Sequence, residues 1–559
     1  MKLSKSFSIL CFILLFFSVT QANAQGTISG NFETTYQYLL TDSVIGATQP
    51  KEKSLVNSYI NVNYRLGGFK AGARFEAYLP RILGYPDRFD GAGLGYRYVG
   101  YENDLVDIIV GNFYDQFGSG LLFRSYEERA LGIDNAMNGF KIKIKPYKGI
   151  TLKAVYGKQR FALNDGQVEY SEAIVRGIDG EFNFNEWFPS LSDKRIRLSM
   201  AGMFVSKYQE DDRPDLILPE NTGSYGARFD AGYKKFFLNG EYVIKEQDPS
   251  ADNGYIYNYG KGAIINAGYS QKGLGILLSA KSIDNMSFRS NRNATLQDLQ
   301  IGFIPPLTKT HTYNLVATLY PYASQPNGEV AYQADIFYKI KRGTLLGGKY
   351  GTDISANFSS AYAPLQDTTN FSPSDSSRVT YETALFKSSG LKYWQDFNIT
   401  ISRKLNKKWK VKLNYYNIQF NNDVQKVTQA KGIITSNIGV LEVGYKINRK
   451  HSIRMELQGL WTNKDKNGVK QDRGDWATAI IEYNISPSWF FSGVFQSNYG
   501  NPDESQRINY PIAVVGKIWG PSRLQVSYGR QNQGLFCVGG VCRFVPASNG
   551  LTVGFTHSF

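Results

Sequence analysis

A glycine-containing stretch between residues 113 and 136 carries the densest cluster of charges in the chain. Its candidate functional side chains are Arg124, Glu127, Glu128, Arg129 and Asp134. Acids beside arginines in a loop can set up an electric field across a polar passage, or they can pair and brace the loop against its support. Residue types alone leave both interpretations open, because they do not say where the loop lies.

Cys537 and Cys542 form the second group with chemical potential. They bracket Val-Gly-Gly-Val, and two thiols this close around a glycine turn are suited to a disulfide in an oxidising compartment. A pair of free thiols is the alternative. A zinc site would need further ligands, and no histidine lies nearby in the sequence. We therefore predict a disulfide that ties an outer loop, and no metal site.

The three histidines suggest no catalytic grouping. His311, His451 and His557 are widely spaced, and the sequence places none of them with a serine or an aspartate at one site. The glycines from Gly91 to Gly95 lead into a strand, whereas a phosphate-binding loop leads into a helix. We expect no enzyme, no catalytic residue and no cofactor.

Strands must position these groups, because a side-chain period of two recurs along the chain. Val56 to Leu66 and Phe69 to Leu79 alternate apolar with mainly polar or small residues, and Phe140 to Lys145 alternates apolar residues with three lysines. Lysines confined to one face fit a strand between lipid and a polar lumen, and they do not fit the core of a β-sandwich.

The beginning of the sequence predicts export. Lys2 and Lys5 precede an apolar stretch from Phe7 to Val19, and Ala22-Asn23-Ala24 offers small residues for cleavage. This pattern is typical of a signal peptide over residues 1–24. No second long apolar run exists, which excludes a membrane protein built from helices.

The last nine residues resemble the closing strand of Gram-negative outer-membrane β-barrels. Leu551 to Phe559 alternates apolar with small polar side chains and stops on phenylalanine. The resemblance implies that Phe555 and Phe559 belong to the signal read by the outer-membrane assembly machinery, and it places the protein in the outer membrane of a Gram-negative bacterium.

The fold class follows from the strands and their connections. Short turns such as Gly67-Gly68 alternate with long loops such as Asp115 to Ala136, as in barrels with short periplasmic turns and long extracellular loops. We predict an all-β protein: a single transmembrane antiparallel β-barrel over residues 25–559, with about 26 strands and a range of 22 to 28. An even count is required if the last strand descends into Phe559, and this parity predicts an additional strand over Thr295 to Ile304.

Composition and charge indicate the partners. Aromatic residues make up 14% of the chain and the formal net charge is +15. The basic residues are spread through strands and turns, which argues against nucleic acid. We expect the negative charges of outer-membrane lipid and lipopolysaccharide to balance the positive charge of the chain. Arg289 and Arg292 fall in a second predicted outer loop and suggest a solvated or lipopolysaccharide-facing patch.

Three blocks of sequence together resemble a family of large, functionally unassigned Gram-negative outer-membrane barrels. They are Gly111 to Gly120, Leu131 to Ala136 and Cys537 to Pro546. The resemblance covers essentially the whole chain after the signal peptide. It supports fold and location, and it implies no catalytic or ligand-binding residue.

Two functions remain open from the sequence. The first is a porin-like channel in which the loop of Asp115 to Ala136 folds inward as a constriction, because a lumen this wide must be occluded by loops or side chains. The alternative is a non-conducting scaffold subunit of an outer-membrane assembly, secretion or uptake complex, whose loops bind protein partners. TonB-dependent transport by this chain alone is not expected, since the first strand begins near the predicted cleavage site.

Overall fold

A closed β-barrel forms the whole architecture. The computed structural model describes residues 26–48, 50–369, 371, 378–426, 431–538 and 541–559, with residues 535–543 limited to the backbone. Within them, 24 antiparallel strands form a ring, which closes because the last strand pairs with the first and sets Gly554 opposite Thr35. One more strand, Gln167–Tyr170, pairs only beside the ring. The predicted antiparallel barrel and even count are confirmed, with 24 strands inside the predicted range.

The strands of the ring are numbered β1 to β24 in chain order. They are β1 Thr27–Leu40, β2 Ser54–Leu66, β3 Phe69–Tyr78, β4 Gly91–Glu102, β5 Val106–Phe113, β6 Met137–Tyr147, β7 Ile150–Asn164, β8 Ile174–Asn183, β9 Ile196–Tyr208, β10 Asn221–Tyr233, β11 Phe236–Lys245, β12 Gly260–Gln271, β13 Leu274–Asp284, β14 Gly328–Ile340, β15 Thr352–Asp367, β16 Glu382–Lys404, β17 Trp409–Asn421, β18 Ile433–Lys446, β19 His451–Thr462, β20 Asp475–Ile485, β21 Trp489–Gly500, β22 Asn509–Trp519, β23 Ser522–Gln531 and β24 Ser548–Ser558. Four short helices are α1 Phe184–Trp187, α2 Pro189–Asp193, α3 Asn314–Leu319 and α4 Asn422–Gln425.

The alternation in the sequence separates the two faces of the wall. In β3, Arg74 is 3% exposed and points into the barrel, whereas its neighbour Phe75 is 54% exposed on the outer face. A charged interior beside an apolar exterior is the reverse of a water-soluble protein. The outer surface of the ring therefore suits a hydrocarbon environment.

The two ends of the barrel differ in their connections. At one end, here called the turn end, strands are joined by short segments such as Gly67-Gly68, although residues 184–195 and 341–351 are longer. The opposite end, the loop end, carries the long connections. Two of these fold into the lumen: residues 114–136 between β5 and β6, and residues 285–327 between β13 and β14. We name them the first and the second inserted segment.

The strand predicted over Thr295 to Ile304 is wrong. β13 and β14 pair directly, with Asp284 opposite Gly328, so the chain between them cannot contribute to the ring. Parity of the strand count predicted this strand, and the ring of 24 is even without it, while Ile301 and Phe303 of this stretch are buried in the lumen. These two side chains are apolar because they pack between the inserted segments, and they do not face lipid.

Among the described residues, none of the helices has both the length and the apolar character needed to cross a membrane.

Candidate functional site

The first inserted segment reaches an apolar seat inside the barrel. Its tip turns back through two hydrogen bonds, in which the N–H of Phe117 donates to the carbonyl of Phe123 at 3.0 Å and the N–H of Gly120 donates to that of Phe117 at 2.9 Å. Phe117, Leu121, Leu122 and Phe123 are fully buried. They pack against lumen-facing side chains of β7 to β13 that are apolar too: Val155, Val175, Met203, Val205, Val243, Ile264 and Ile283.

A glycine in the wall makes room for this tip. A Cβ placed on Gly177 of β8 would lie 2.8 Å from a ring carbon of Phe117, which is closer than van der Waals contact allows. The wall and the segment are therefore complementary in shape as well as in polarity.

The second inserted segment crosses the rest of the lumen and holds the first in place. The N–H of Phe303 donates to the carbonyl of Gly120 at 2.9 Å, and the N–H of Arg124 donates to the carbonyl of Ile301 at 2.8 Å. Further along, α3 and its flanks bury a second apolar cluster against β14 to β22. Its members include Leu315, Val316, Leu319, Tyr320, Tyr322, Trp394, Phe420, Ile438, Leu460 and Trp476. The two segments thus support one another inside the ring.

A buried network of charges fixes the first inserted segment to the wall. Arg160 of β7 is 1% exposed and donates to Glu76 at 2.7 Å and to Asp134 at 2.6 Å. Arg74 donates to the same two carboxylates, at 2.7 Å in the case of Glu76. A buried charge is tolerated only when it is paired and hydrogen-bonded. Asp134 is therefore the anchor of the segment.

The network extends from the wall toward water through Glu127 and Arg129. Glu127 lies 3.0 Å from Arg74 and accepts from Arg129 at 2.7 Å. Arg129 also donates to Glu33 of β1 at 2.7 Å. Burial raises the pKa of the Glu127 carboxyl above its ordinary value, although Arg74 and Arg129 favour its charged form. The segment therefore presents opposed charges where it meets the first strand.

The other two predicted residues have different contacts. The guanidinium of Arg124 stacks 4.0 Å from the ring centre of Phe303. Glu128 accepts from the N–H of Ala130 at 3.2 Å and caps a short helical turn. Of the five predicted residues, Glu127, Arg129 and Asp134 are thus brought together. Asp134 braces the segment against the wall. That the five residues line a passage stays a prediction.

A strip of polar residues in the wall is left uncovered by the inserted segments. It comprises nine lumen-facing residues in three rows of cross-strand neighbours on β23, β24 and β1. These are Ser527, Thr552 and Gln37; Gln525, Gly554 and Thr35; and Arg523, Thr556 and Glu33. All nine are partly or fully exposed, and a cavity of about 310 Å³ lies along them. We call this feature the polar strip.

The polar strip and the charged pair of the first inserted segment meet at Glu33. The Glu33 side chain is 37% exposed and that of Arg129 is 23% exposed, so both reach water. Sequence patterns do not point to Glu33, Arg74, Glu76 or Arg160 as site residues. A signal for them exists, because charged residues on the lumen face of otherwise alternating strands need partners of opposite sign.

The predicted outer patch at Arg289 and Arg292 is wrong. Each is 2% exposed, and each guanidinium donates to backbone carbonyls: Arg289 to Asp298 at 2.7 Å, and Arg292 to Glu210 at 2.9 Å. They are buried because their loop folds inward.

The cysteine pair and the closing strand are only partly described. Backbone pairing sets Cys537 opposite Cys542 in a hairpin, but their side chains lie outside the described part, so the disulfide stays a prediction. The rings of Phe555 and Phe32 are 5.9 Å apart on the outer face, and the N–H of Phe559 donates to Gly30 at 3.0 Å. Their role as an assembly signal also stays a prediction.

The histidines are held by separate partners. His311 lies 2.7 Å from Asp396, His451 lies 2.6 Å from the hydroxyl of Tyr483, and His557 lies 2.8 Å from that of Ser522. Within the described residues, no group of three or more histidine, cysteine, aspartate or glutamate side chains could hold a metal ion.

Comparisons with known proteins connect the chain to a family without an assigned activity. A model described as "Family of unknown function (DUF6029)" matches residues 3–559, which confirms the resemblance drawn from the three sequence blocks. No curated protein matches the chain.

Solved structures with a similar outline differ strongly in sequence. A mutant of the ferric enterobactin receptor PfeA from Pseudomonas aeruginosa is 10% identical over 97% of this chain and 81% of its own, with a TM-score of 0.40. OccAB3 from Acinetobacter baumannii is 10% identical over 84% and 99%, with a TM-score of 0.33. The translocation pore of the P pilus usher PapC is 8% identical over 95% and 98%, with a TM-score of 0.39.

Proposed function

The chain belongs to this family of unknown function, and we propose that its barrel is a narrow, porin-like pore in the outer membrane of a Gram-negative bacterium. Polar solutes pass along the polar strip, beside the two inserted segments that occupy much of the lumen. The proposal assigns no catalytic step and no cofactor.

The outer face of the ring supports a membrane location. Large apolar side chains in the middle of the strands are exposed on it, for example Val99 at 60%, Ile178 at 58%, Leu278 at 53% and Ile481 at 55%. At about 25 cal/mol per Å² of apolar surface, a ring of such residues in water would be strongly unfavourable. Hydrocarbon removes that cost, and the closed sheet leaves no unpaired strand edge in it.

The polar strip is the observation that carries the transport proposal. Over much of the remaining circumference the inserted segments cover the lumen-facing wall through apolar packing and buried ion pairs, whereas the strip keeps hydroxyl, amide, glycine and charged residues accessible along three strands. Glu33 and Arg129 face each other beside it at 2.7 Å. With Arg523 in the strip as well, the path has one acid and two bases along it, and such a path suits small polar or charged solutes.

A bilayer recording with a blocked strip tests the proposal. No atom lies within 4 Å of a Cβ added to Gly554, so Gly554→Trp places an indole in the strip without a clash near the backbone. We expect single-channel steps from the wild-type protein and a conductance lower by at least about half in the variant, because an indole would occupy much of the cavity of about 310 Å³ along the strip. Val553→Trp is the matched control, since the neighbouring side chain points to the outer face, and it should conduct like the wild type.

A different outcome identifies the alternative function. The filled lumen favours a second candidate, a non-conducting scaffold subunit of an outer-membrane complex, because the inserted segments bury two apolar clusters inside the ring. Persistent electrical silence from a correctly folded barrel, together with co-purification of a stoichiometric protein partner, would favour the scaffold and refute the pore.

Export and assembly belong to the same proposal. We infer that residues 1–24 act as a cleaved signal peptide and that Phe555 and Phe559 are read by the assembly machinery. Mass spectrometry of the mature protein should give an amino terminus at Gln25. An uncleaved terminus would contradict the signal peptide.

A further inference from the structure

The turn end carries a ring of positive charge. The segments that join strands at this end contain thirteen lysines and arginines and only three acids, Asp104, Glu186 and Asp193. The basic residues are Lys148, Lys194, Arg195, Lys234, Lys235, Lys272, Lys341, Arg342, Lys349, Lys407, Lys408, Arg449 and Lys450. We call these thirteen residues the basic ring.

The basic ring is free to meet a partner. All thirteen side chains are exposed, and none forms a salt bridge with another residue in the described ranges. Charges of one sign that are exposed and unpaired repel one another. Their concentration at one end is therefore unfavourable unless counter-charges lie close by.

The loop end has the opposite character. Its connection of residues 209–220 carries five acids and one arginine, and that of residues 246–259 carries three acids and no base. The basic ring is thus a property of one end, and it does not simply reflect the net charge of +15.

Aromatic side chains place the basic ring at the level of lipid headgroups. Trp409 directly follows Lys408, is 40% exposed on the outer face and stacks on Tyr445 with ring centres 4.3 Å apart. Phe236 directly follows Lys235 and lies 4.7 Å from Tyr269. Aromatic girdles of this kind mark the boundary between hydrocarbon and headgroups. A lysine one residue beyond the girdle lies where headgroup phosphates lie.

We propose that the basic ring binds the phosphates of anionic phospholipids in the leaflet that borders the turn end. A lysine is a compact charge with three donors on a flexible stem, so it can follow a mobile headgroup. The binding is electrostatic and repeats over seven consecutive connections of the turn end, from the one that joins β6 to β7 to the one that joins β18 to β19, which selects for negative headgroup charge and imposes no single binding pocket.

Tryptophan quenching by brominated lipids measures this preference. Trp461→Phe serves as the background, because Trp461 is 47% exposed away from the turn end, whereas Trp409, Trp489 and Trp519 are exposed beside it. The folded barrel is reconstituted in phosphatidylcholine with a fixed fraction of brominated phosphatidylglycerol or of brominated phosphatidylcholine. We expect the anionic lipid to bind about fivefold more strongly, which corresponds to one lysine contact, and the preference to fall as salt is raised.

Two matched variants connect the preference to the basic ring. Replacing Lys234, Lys235, Lys407 and Lys408 by glutamine should bring the preference close to one. Replacing four exposed loop-end lysines, Lys51, Lys53, Lys464 and Lys466, removes the same charge and should leave it unchanged.

Two results would overturn the proposal. Equal quenching by the two brominated lipids in the unmodified ring would show that it does not select headgroups. Binding of soluble polyglutamate to the ring in neutral lipid, without any preference for phosphatidylglycerol, would identify a surface for an acidic protein instead.

Discussion

Two sectors of the same wall face the lumen in opposite ways. Along β7 to β13 the first inserted segment seals a band of inward apolar side chains, so that Val155 is 3% exposed and Val243 is fully buried, and the inward lysines beyond this band, such as Lys245, are fully buried too. Along the polar strip on β23, β24 and β1 the inward residues are polar or glycine, and water reaches them. One sector behaves as a protein core and the other as a lining.

The difference shows that a barrel of this width uses its wall for two purposes. The covered sector receives apolar tips such as Phe117, and the buried pairs around Arg160 fix their position. The uncovered sector provides no apolar partner and no buried charge network of this size among the described residues. Stability should therefore be concentrated in the first sector and permeation in the second.

Removal of Arg160 should give the largest difference in stability between the two sectors. Arg160→Ala leaves Glu76 and Asp134 buried with one fewer cation, and the loss of a partner from a buried pair costs about 3–5 kcal/mol. We expect the free energy of unfolding to fall by that amount, measured by urea titration of the barrel in lipid. Arg523→Ala in the polar strip is the control. Arg523 is exposed, donates to Gln525 at 2.9 Å and lies 5.2 Å from the ring centre of Phe490, so its loss should cost less than about 1 kcal/mol. Equal losses at the two sites would refute the distinction between the sectors.

The same substitution at two glycines gives a smaller and cleaner test. Gly177→Ala brings a Cβ to 2.8 Å from Phe117, whereas a Cβ on Gly554 meets nothing within 4 Å. Overpacking costs about 1–3 kcal/mol, so the first variant should unfold more readily by that amount. The second should stay within about 0.5 kcal/mol of the wild type. A neutral Gly177→Ala would mean that the tip does not rest on the wall.

The sequence shows the ring but only hints at its filling. Alternation along Val56 to Leu66 predicts strands with one lipid face and one lumen face. The up-and-down order of antiparallel strands then predicts an even number of them in a closed barrel. The inserted segments depend on contacts between residues far apart, such as Phe303 with Gly120, and a local period cannot reveal those. One local hint exists: Met203 and Val205 are apolar although they face the lumen, so a strand that is apolar on both faces indicates a covered sector.

The candidate site follows the same division. The sequence identifies Asp134 and Arg129 as charged members of a long loop, yet their partners Arg160 and Glu33 belong to strands β7 and β1. Arg289 and Arg292 were misplaced for the same reason, since a basic loop residue looks solvated until the loop is known to fold inward.

Ion selectivity should respond to Glu33 if the polar strip conducts. Glu33→Gln removes the acid that faces Arg129 at 2.7 Å, and the remaining positive charge should attract anions. A single charge beside a narrow path changes the local potential by roughly kT, so we expect the anion-to-cation permeability ratio to rise about threefold. Reversal potentials in a salt gradient measure it. Glu504→Gln, in an exposed turn at the loop end where the side chain is 82% exposed, should leave the ratio unchanged; a matching shift there would indicate a general surface effect.

Glu128 should give the smallest effect, and it separates the two interpretations of the charged loop. Its carboxylate caps the N–H of Ala130 at 3.2 Å, and a glutamine oxygen can accept the same bond, so Glu128→Gln should leave the fold intact. Glu128 makes no salt bridge with another described residue, and it is only partly exposed beside Arg129. We expect a change in the permeability ratio of less than about 1.5-fold, because the field at the strip is set mainly by Glu33, Arg129 and Arg523. A shift as large as that of Glu33→Gln would mean that the whole inserted segment lines the path, and the boundary between the sealed and the conducting sector would then have to move to include it.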